Sequence, residues 1–194
     1  MEKISPTELY PLEQYARIRD NYRTRVMEHK KARRLAIGPH LTLYFEDRLT
    51  IQYQIQEMLR VERIFEPEGI QDEMDAYNPL IPDGRNLKAT MMIEYAEPQE
   101  RAQRLAEMVG IENKIWLQVA GHARVAPVAD EDLERSEPEK TAAVHFLRFE
   151  FTPEMIDTLR GGAAMAAGAD HKVYRHIVQS IPENIKQSLL GDFD

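Results

Sequence analysis

Arg148 and Glu150 stand two residues apart in a stretch, Ala142 to Phe151, whose alternation predicts a β-strand. Side chains two apart on a strand share a face. The even face carries Val144, Phe146, Arg148 and Glu150, and the odd face carries Ala143, His145, Leu147, Phe149 and Phe151. A second alternating stretch, Asn86 to Tyr95, points Lys88, Thr90, Met92 and Glu94 one way and Leu87, Ala89, Met91, Ile93 and Tyr95 the other. If the two strands lie close together, Lys88 and Glu94 join Arg148 and Glu150. Such a group can fix an anionic substrate through the guanidinium while a carboxylate takes a proton or a metal. A solvated face of an antiparallel sheet carries the same residue types, tied by cross-strand ion pairs of ~0.2–1 kcal/mol each. With Glu46, at the end of an alternating run over 41–46, the candidate catalytic set is Glu46, Glu94, His145, Arg148 and Glu150. His145 sits among apolar neighbours, so a hydrogen-bonded core position is its other reading. His171 and His176 are five apart, which suits neither one helical face nor one strand face. No histidine pair has strong metal-ligand spacing, and the metal, if there is one, is left unknown; a site assembled from distant segments stays open.

Two helical surfaces form a second set of candidates. Ile51, Ile55, Met58, Leu59 and Phe65 make the apolar face of a helix over about 51–65, capped by Thr50 and ended by Pro67. Gln52, Gln56, Arg60 and Arg63 run along it as a polar stripe. With Arg48 and Glu57 they are the candidate partner-binding residues; an ordinary surface helix has the same composition. Residues 17–34 hold eight Lys and Arg against Asp20 and Glu28, a net +6, which leaves −14 for the rest of a chain of formal charge −8. This segment, on a helix running from Pro11 to about Arg34, offers a nucleic-acid contact. The alternative is that it neutralises the acidic remainder within the protein or across a subunit contact, and that alternative is the one preferred here.

These side chains need a frame. A short helix after Ser5-Pro6 and the long basic helix open the chain. Gly38-Pro39 breaks it before the strand at 41–46. A short acidic helix at about 69–76 leads into the turn-rich Tyr77-Asn78-Pro79-Leu80-Ile81-Pro82-Asp83-Gly84. The second half reads as strands at 86–95, 114–120, 123–129, 142–151 and 173–180, with helices at about 98–109, after Pro153, and at 182–190. The Gly/Ala segment 161–168 is expected to be a packed turn or helix, and 130–140 a charged surface loop. Helices first and strands later predict an α+β fold with a mainly antiparallel sheet and an N-terminal helical segment packed on it. We read one domain, 1–194, with a mainly helical half at 1–84 and a strand-rich half at 85–194, in line with a length of 194 residues.

Composition narrows the chemistry. There are no cysteines, which removes disulfides, thiolate nucleophiles and cysteine-held zinc or iron–sulfur clusters. There is no P-loop, GxGxxG, HExxH, GxSxG or EF-hand pattern. Gly161-Gly162 with Gly168 lacks the lysine of a phosphate cradle. The polar N-terminus and the lack of a long apolar run make cytoplasm the expected compartment.

Several stretches carry a family resemblance. They are Phe45-Glu46-x-Arg48-x-Thr50, the run Gln54-Ile55-Gln56-Glu57-Met58-Leu59-Arg60-x-Glu62-Arg63-Ile64-Phe65, Tyr77 to Pro82, Leu87 to Tyr95, Val144 to Phe149 and Gly168-Ala169-Asp170-His171. Through them the chain resembles the family catalogued as domain of unknown function 3501, over nearly its whole length. Lys172 stands where that pattern leads one to expect a proline. The family carries no defined activity or catalytic residues. The gene neighbourhoods associated with such families imply a role beside rubrerythrin-like and iron–sulfur proteins in redox or peroxide-stress chemistry. The expectation is therefore an accessory or interaction protein of such a system. The alternatives are an enzyme with a Glu/Arg/His pocket that uses a non-haem metal or none, and a nucleic-acid-binding protein. No cofactor is assigned, and a homo-oligomer is compatible with the sequence.

Overall fold

In the computed structural model, which describes residues 2–131 and 135–194, the chain is α+β with two antiparallel sheets. Helix α1 (Leu12–Lys31) is followed by strands β1 (Arg34–Ala36) and β2 (Leu41–Glu46), then helices α2 (Arg48–Glu62) and α3 (Pro67–Tyr77). Strand β3 (Asn86–Ile93), helix α4 (Pro98–Glu107) and strands β4 (Ile115–Val119), β5 (Arg124–Val125), β6 (Val128–Ala129) and β7 (Val144–Glu150) come next. Helix α5 (Pro153–Arg160), strands β8 (Met165–His171) and β9 (Tyr174–Val178) and helix α6 (Glu183–Leu190) complete the order. The larger sheet runs β1-β2-β3-β7-β6 and the smaller β5-β4-β8-β9.

Alternation decides which side of the larger sheet is dry. Leu43, Phe45, Leu87, Ala89, Met91, Leu147 and Phe149 share the odd face and are almost fully buried, in one core with Ile115, Leu117, Met165 and Ala167 of the smaller sheet. Leucines of α4, α5 and α6 close that core. The even face is covered from the other side by the N-terminal helices. These have a core of their own, in which Ile51, Ile55 and Leu59 of α2 meet Met74 of α3, Ile4 and Ile81.

Four local expectations are corrected. The basic helix stops at Lys31, and Arg34–Ala36 pairs with β2 instead. The fully buried Arg33 donates to the carbonyls of Phe45 and Glu46 and pairs with Asp192, which anchors the break. Helix α2 starts at Arg48, because the Asp47 carboxylate accepts from the Thr50 amide at 2.9 Å while Thr50 Oγ1 accepts from the Asp47 amide. The 123–129 stretch is two short strands that join different sheets. The Gly/Ala segment continues into strand β8, set between β4 and β9. Of the loop expected at 130–140, residues 132–134 lie outside the described residues.

Candidate functional site

Three strands bring the predicted side chains into one row. Glu46 of β2 lies opposite Lys88 of β3, and Lys88 opposite Arg148 of β7. The next row is Tyr44, Thr90 and Phe146. The face is not open sheet. Two adjoining lobes of about 390 and 410 Å³ lie between it and the helices, and they share Tyr77, Leu80 and Phe146. One lobe holds Lys88, Arg148, Glu131, Pro79 and Asp75. The other holds Glu46, Thr90, Tyr44 and Met92 from the sheet, Met27 and Lys30 from α1, and Ile51 and Gln54 from α2. Each lobe alone falls in the size range of small-molecule sites, and the walls are mainly apolar with a few convergent polar groups.

Local sequence explains how these groups are held. The α2 cap that fixes Asp47 also leaves the Thr50 hydroxyl free to donate to Glu46 at 2.6 Å, and Thr90 donates to the other carboxylate oxygen at 2.7 Å. Glu46 is thus oriented by two hydroxyls. The Tyr77-Asn78-Pro79-Leu80 corner is pinned because Asn78 accepts from the Ile4 amide at 2.9 Å and donates to its carbonyl at 3.0 Å. That corner turns the Pro79 carbonyl toward Lys88, whose ammonium donates to it. Burial in this wall lowers the Lys88 pKa from its ordinary value. Arg148 is clamped by Glu131 through Nε at 2.7 Å and Nη2 at 2.8 Å and pairs also with Glu150. Those carboxylates, Glu131 first, hold its pKa above the usual arginine range. Lys88 is therefore the cation on this wall that no carboxylate bonds directly among the described residues.

Of the five predicted catalytic residues, the groove takes in two, Glu46 and Arg148. Glu150 sits at the rim, where it accepts from Asn86 at 3.0 Å. Glu94 lies exposed beyond the other end of the face, accepting from Thr42 at 3.0 Å. His145 is on the opposite face, fully buried, with Nδ1 2.6 Å from Asp130 and Nε2 2.8 Å from Thr141. Its odd position in β7 makes this unavoidable. Sequence reasoning missed Thr90, Phe146, Tyr77 and Gln54 as site residues. The even positions of β3 and β7 signalled the first two, and nothing local signalled the helical pair.

The stripe on α2 faces its own N-terminal segment. Gln56 is buried and bonds both the amide and the carbonyl of Tyr10. Gln52 donates to the Glu8 carbonyl, and Arg48 pairs with the Glu8 carboxylate. Glu57 accepts from Tyr15 and Arg19, each at 2.8 Å, and pairs with Arg60. Arg63 caps α2 in the left-handed region and is exposed. In the basic segment Arg19 pairs with Glu57, Lys31 with Glu28 and Arg33 with Asp192. No group of three or more His, Asp or Glu is arranged to hold a metal ion among the described residues, and no described helix is long and apolar enough to cross a membrane.

Fold and groove together define an α+β protein of two antiparallel sheets with a helix-covered polar face. The chain belongs to the family described as protein of unknown function (DUF3501), whose pattern matches residues 3–193. It is similar to a novel protein of unknown function from Burkholderia pseudomallei, known from a crystal structure, at 49% identity over 100% of both chains with a TM-score of 0.95. No curated protein matches it significantly.

Proposed function

We propose that the protein binds a small amphipathic anion in the groove between the larger sheet and helices α1–α3. The observation that carries this is Lys88, an ammonium set in an apolar wall and hydrogen-bonded to a backbone carbonyl. A ligand carboxylate or phosphate would give it the counter-charge that the chain gives Arg148. Tyr77, Leu80 and Phe146 would take the apolar body. Calorimetry with octanoate and its uncharged isostere octanamide tests the reading. Octanoate is expected to bind and octanamide to bind at least about tenfold more weakly, a difference of ~1.4 kcal/mol. Lys88→Met should abolish that preference. Equal binding of the two probes, or binding of neither, overturns it. An enzyme working in the same groove would use Glu46, fixed by Thr50 and Thr90, as its acid or base.

A role beside an iron–sulfur or rubrerythrin-like partner in the cytoplasm is the second reading. It is favoured by Val61 and Phe65, which are 61% and 64% exposed at the end of α2 beside Arg60 and Arg63. Without cysteines the chain would serve such a system by binding a partner or its small-molecule substrate. Affinity capture from native cells should then recover a cluster-bearing protein, and Phe65→Ser should release it.

A further inference from the structure

Lys88 differs from the exposed lysines Lys114 and Lys172 in what surrounds it. Strand pairing sets it between Glu46 and Arg148 on the helix-covered face of the larger sheet. It is half-buried and lines the lobe walled by Tyr77, Leu80 and Phe146. Its nitrogen donates to the Pro79 carbonyl, a bond that an amine and an ammonium make alike. A bonded carboxylate would hold the charged form, and among the described residues Lys88 bonds none. Burial, first, and the neighbouring Arg148 guanidinium favour the amine, while Asp83, Glu131 and Glu150 favour the ammonium; the net direction of the pKa is down. A desolvated lysine amine at the wall of an apolar cavity is a nucleophile for carbonyl carbon.

Attack on a carbonyl also needs a proton carrier. Glu46 holds the cross-strand position beside Lys88, where Cβ atoms lie ~5 Å apart. The hydroxyls of Thr50 and Thr90 take one carboxylate oxygen each, at 2.6 and 2.7 Å, and fix Glu46 in the adjoining lobe. Each oxygen keeps a further acceptor site after that bond. Arg148 cannot serve in this role, because Glu131 and Glu150 clamp it and a guanidinium does not deprotonate.

We propose that Lys88 forms an imine with a small amphipathic carbonyl compound bound in the groove, and that Glu46 carries the protons. The ammonium form of Lys88 holds an anion; the amine form attacks a carbonyl. As in the anion reading, on which this rests for the groove alone, Tyr77, Leu80 and Phe146 take the apolar body. The nitrogen lone pair forms the C–N bond while the carbonyl π pair moves to oxygen. Glu46 carries the two N–H protons of the amine in turn to that oxygen, which leaves as water when the C=N bond forms. Glu46 ends ionised, and no oxidant or reductant is consumed.

The test treats the full chain with methyl hexyl ketone and cyanoborohydride, which delivers hydride to the imine carbon, and maps the adduct by peptide mass spectrometry. One secondary octyl group is expected on Lys88, and Lys114 and Lys172 should gain it at least about tenfold more slowly. Lys88→Arg keeps the charge and should lose the adduct. Glu46→Gln should slow its formation on the order of a hundredfold. The wild-type map decides if a variant does not fold. The proposal is overturned if no adduct forms, if Lys114 and Lys172 react as fast as Lys88, or if Glu46→Gln reacts as fast as the wild type. An adduct on Lys88 of a protein that does not bind octanoate upholds this proposal and sinks the anion reading. Octanoate binding without an adduct does the reverse.

Discussion

Glu57 collects Tyr15, Arg19 and Arg60 around one carboxylate, and the guanidinium of Arg19 is the largest cause of a pKa lowered to about 2. The unfolded carboxylate titrates near ~4.3, so the contribution of Glu57 to stability is complete above that value and is lost as pH falls through about 2. Glu57→Gln keeps the shape but removes the charge. It should cost about 1–3 kcal/mol at neutral pH, and its stability should fall less steeply than the wild type's between pH ~4.5 and ~2. Urea midpoints measured across that range check both statements, and parallel curves for the two proteins would contradict them. The same residue marks what sequence alone leaves open on α2. Gln, Glu and Arg at helical spacing look alike whether their neighbour is another protein or the protein's own first helix, and here Tyr10, Tyr15 and Arg19 occupy that position.

Among the elements, β3 and β7 were legible because every second residue is apolar and one face is buried. Strand β8 was not, because Met165-Ala-Ala-Gly-Ala-Asp-His171 has no bulky alternation to read. Its small residues answer to a contact that local pattern cannot express. A Cβ added to Gly168 would lie 2.3 Å from Cζ2 of Trp116 and 2.9 Å from the His176 carbonyl. The Trp116 ring lies against Gly168, with Arg124 3.8 Å from its ring centre and paired to Asp170 at 2.5 Å. Gly168→Ala is therefore expected to destabilise by about 1–3 kcal/mol through overpacking. Thermal unfolding followed by far-ultraviolet circular dichroism measures this, and Trp116→Leu in the same background should restore part of the loss. The groove was half legible for the same kind of reason. The row Glu46, Lys88, Arg148 follows from strand pairing. That α1, α2 and α3 would cover it depends on packing between segments far apart in sequence.

Across the whole molecule, the polar face of the larger sheet divides two apolar cores of unequal size. The large core ties both sheets to α4, α5 and α6; the small one holds α2 and α3 to the N-terminal segment. Where the helical layer meets the sheet there is open groove instead of close packing, so the surface that would couple the two layers is reduced. Helix α3 has one fully buried side chain, Met74, and lies at the groove through Asp75, Ala76 and Tyr77. Local stability should follow this division. In native-state hydrogen exchange the amides of α3 should open at least about tenfold more readily than those of β3 and β7, ~1.4 kcal/mol or more in free energy. A ligand that fills the groove bridges Tyr77 and Leu80 to Phe146 and must slow exchange in α3 by mass action while leaving β8 and β9, on the other side of the larger core, unchanged. Octanoate at saturation provides the measurement. Uniform protection across both layers without ligand would mean that the groove does not separate two units of stability. A slowing confined to β8 and β9 would place the ligand elsewhere.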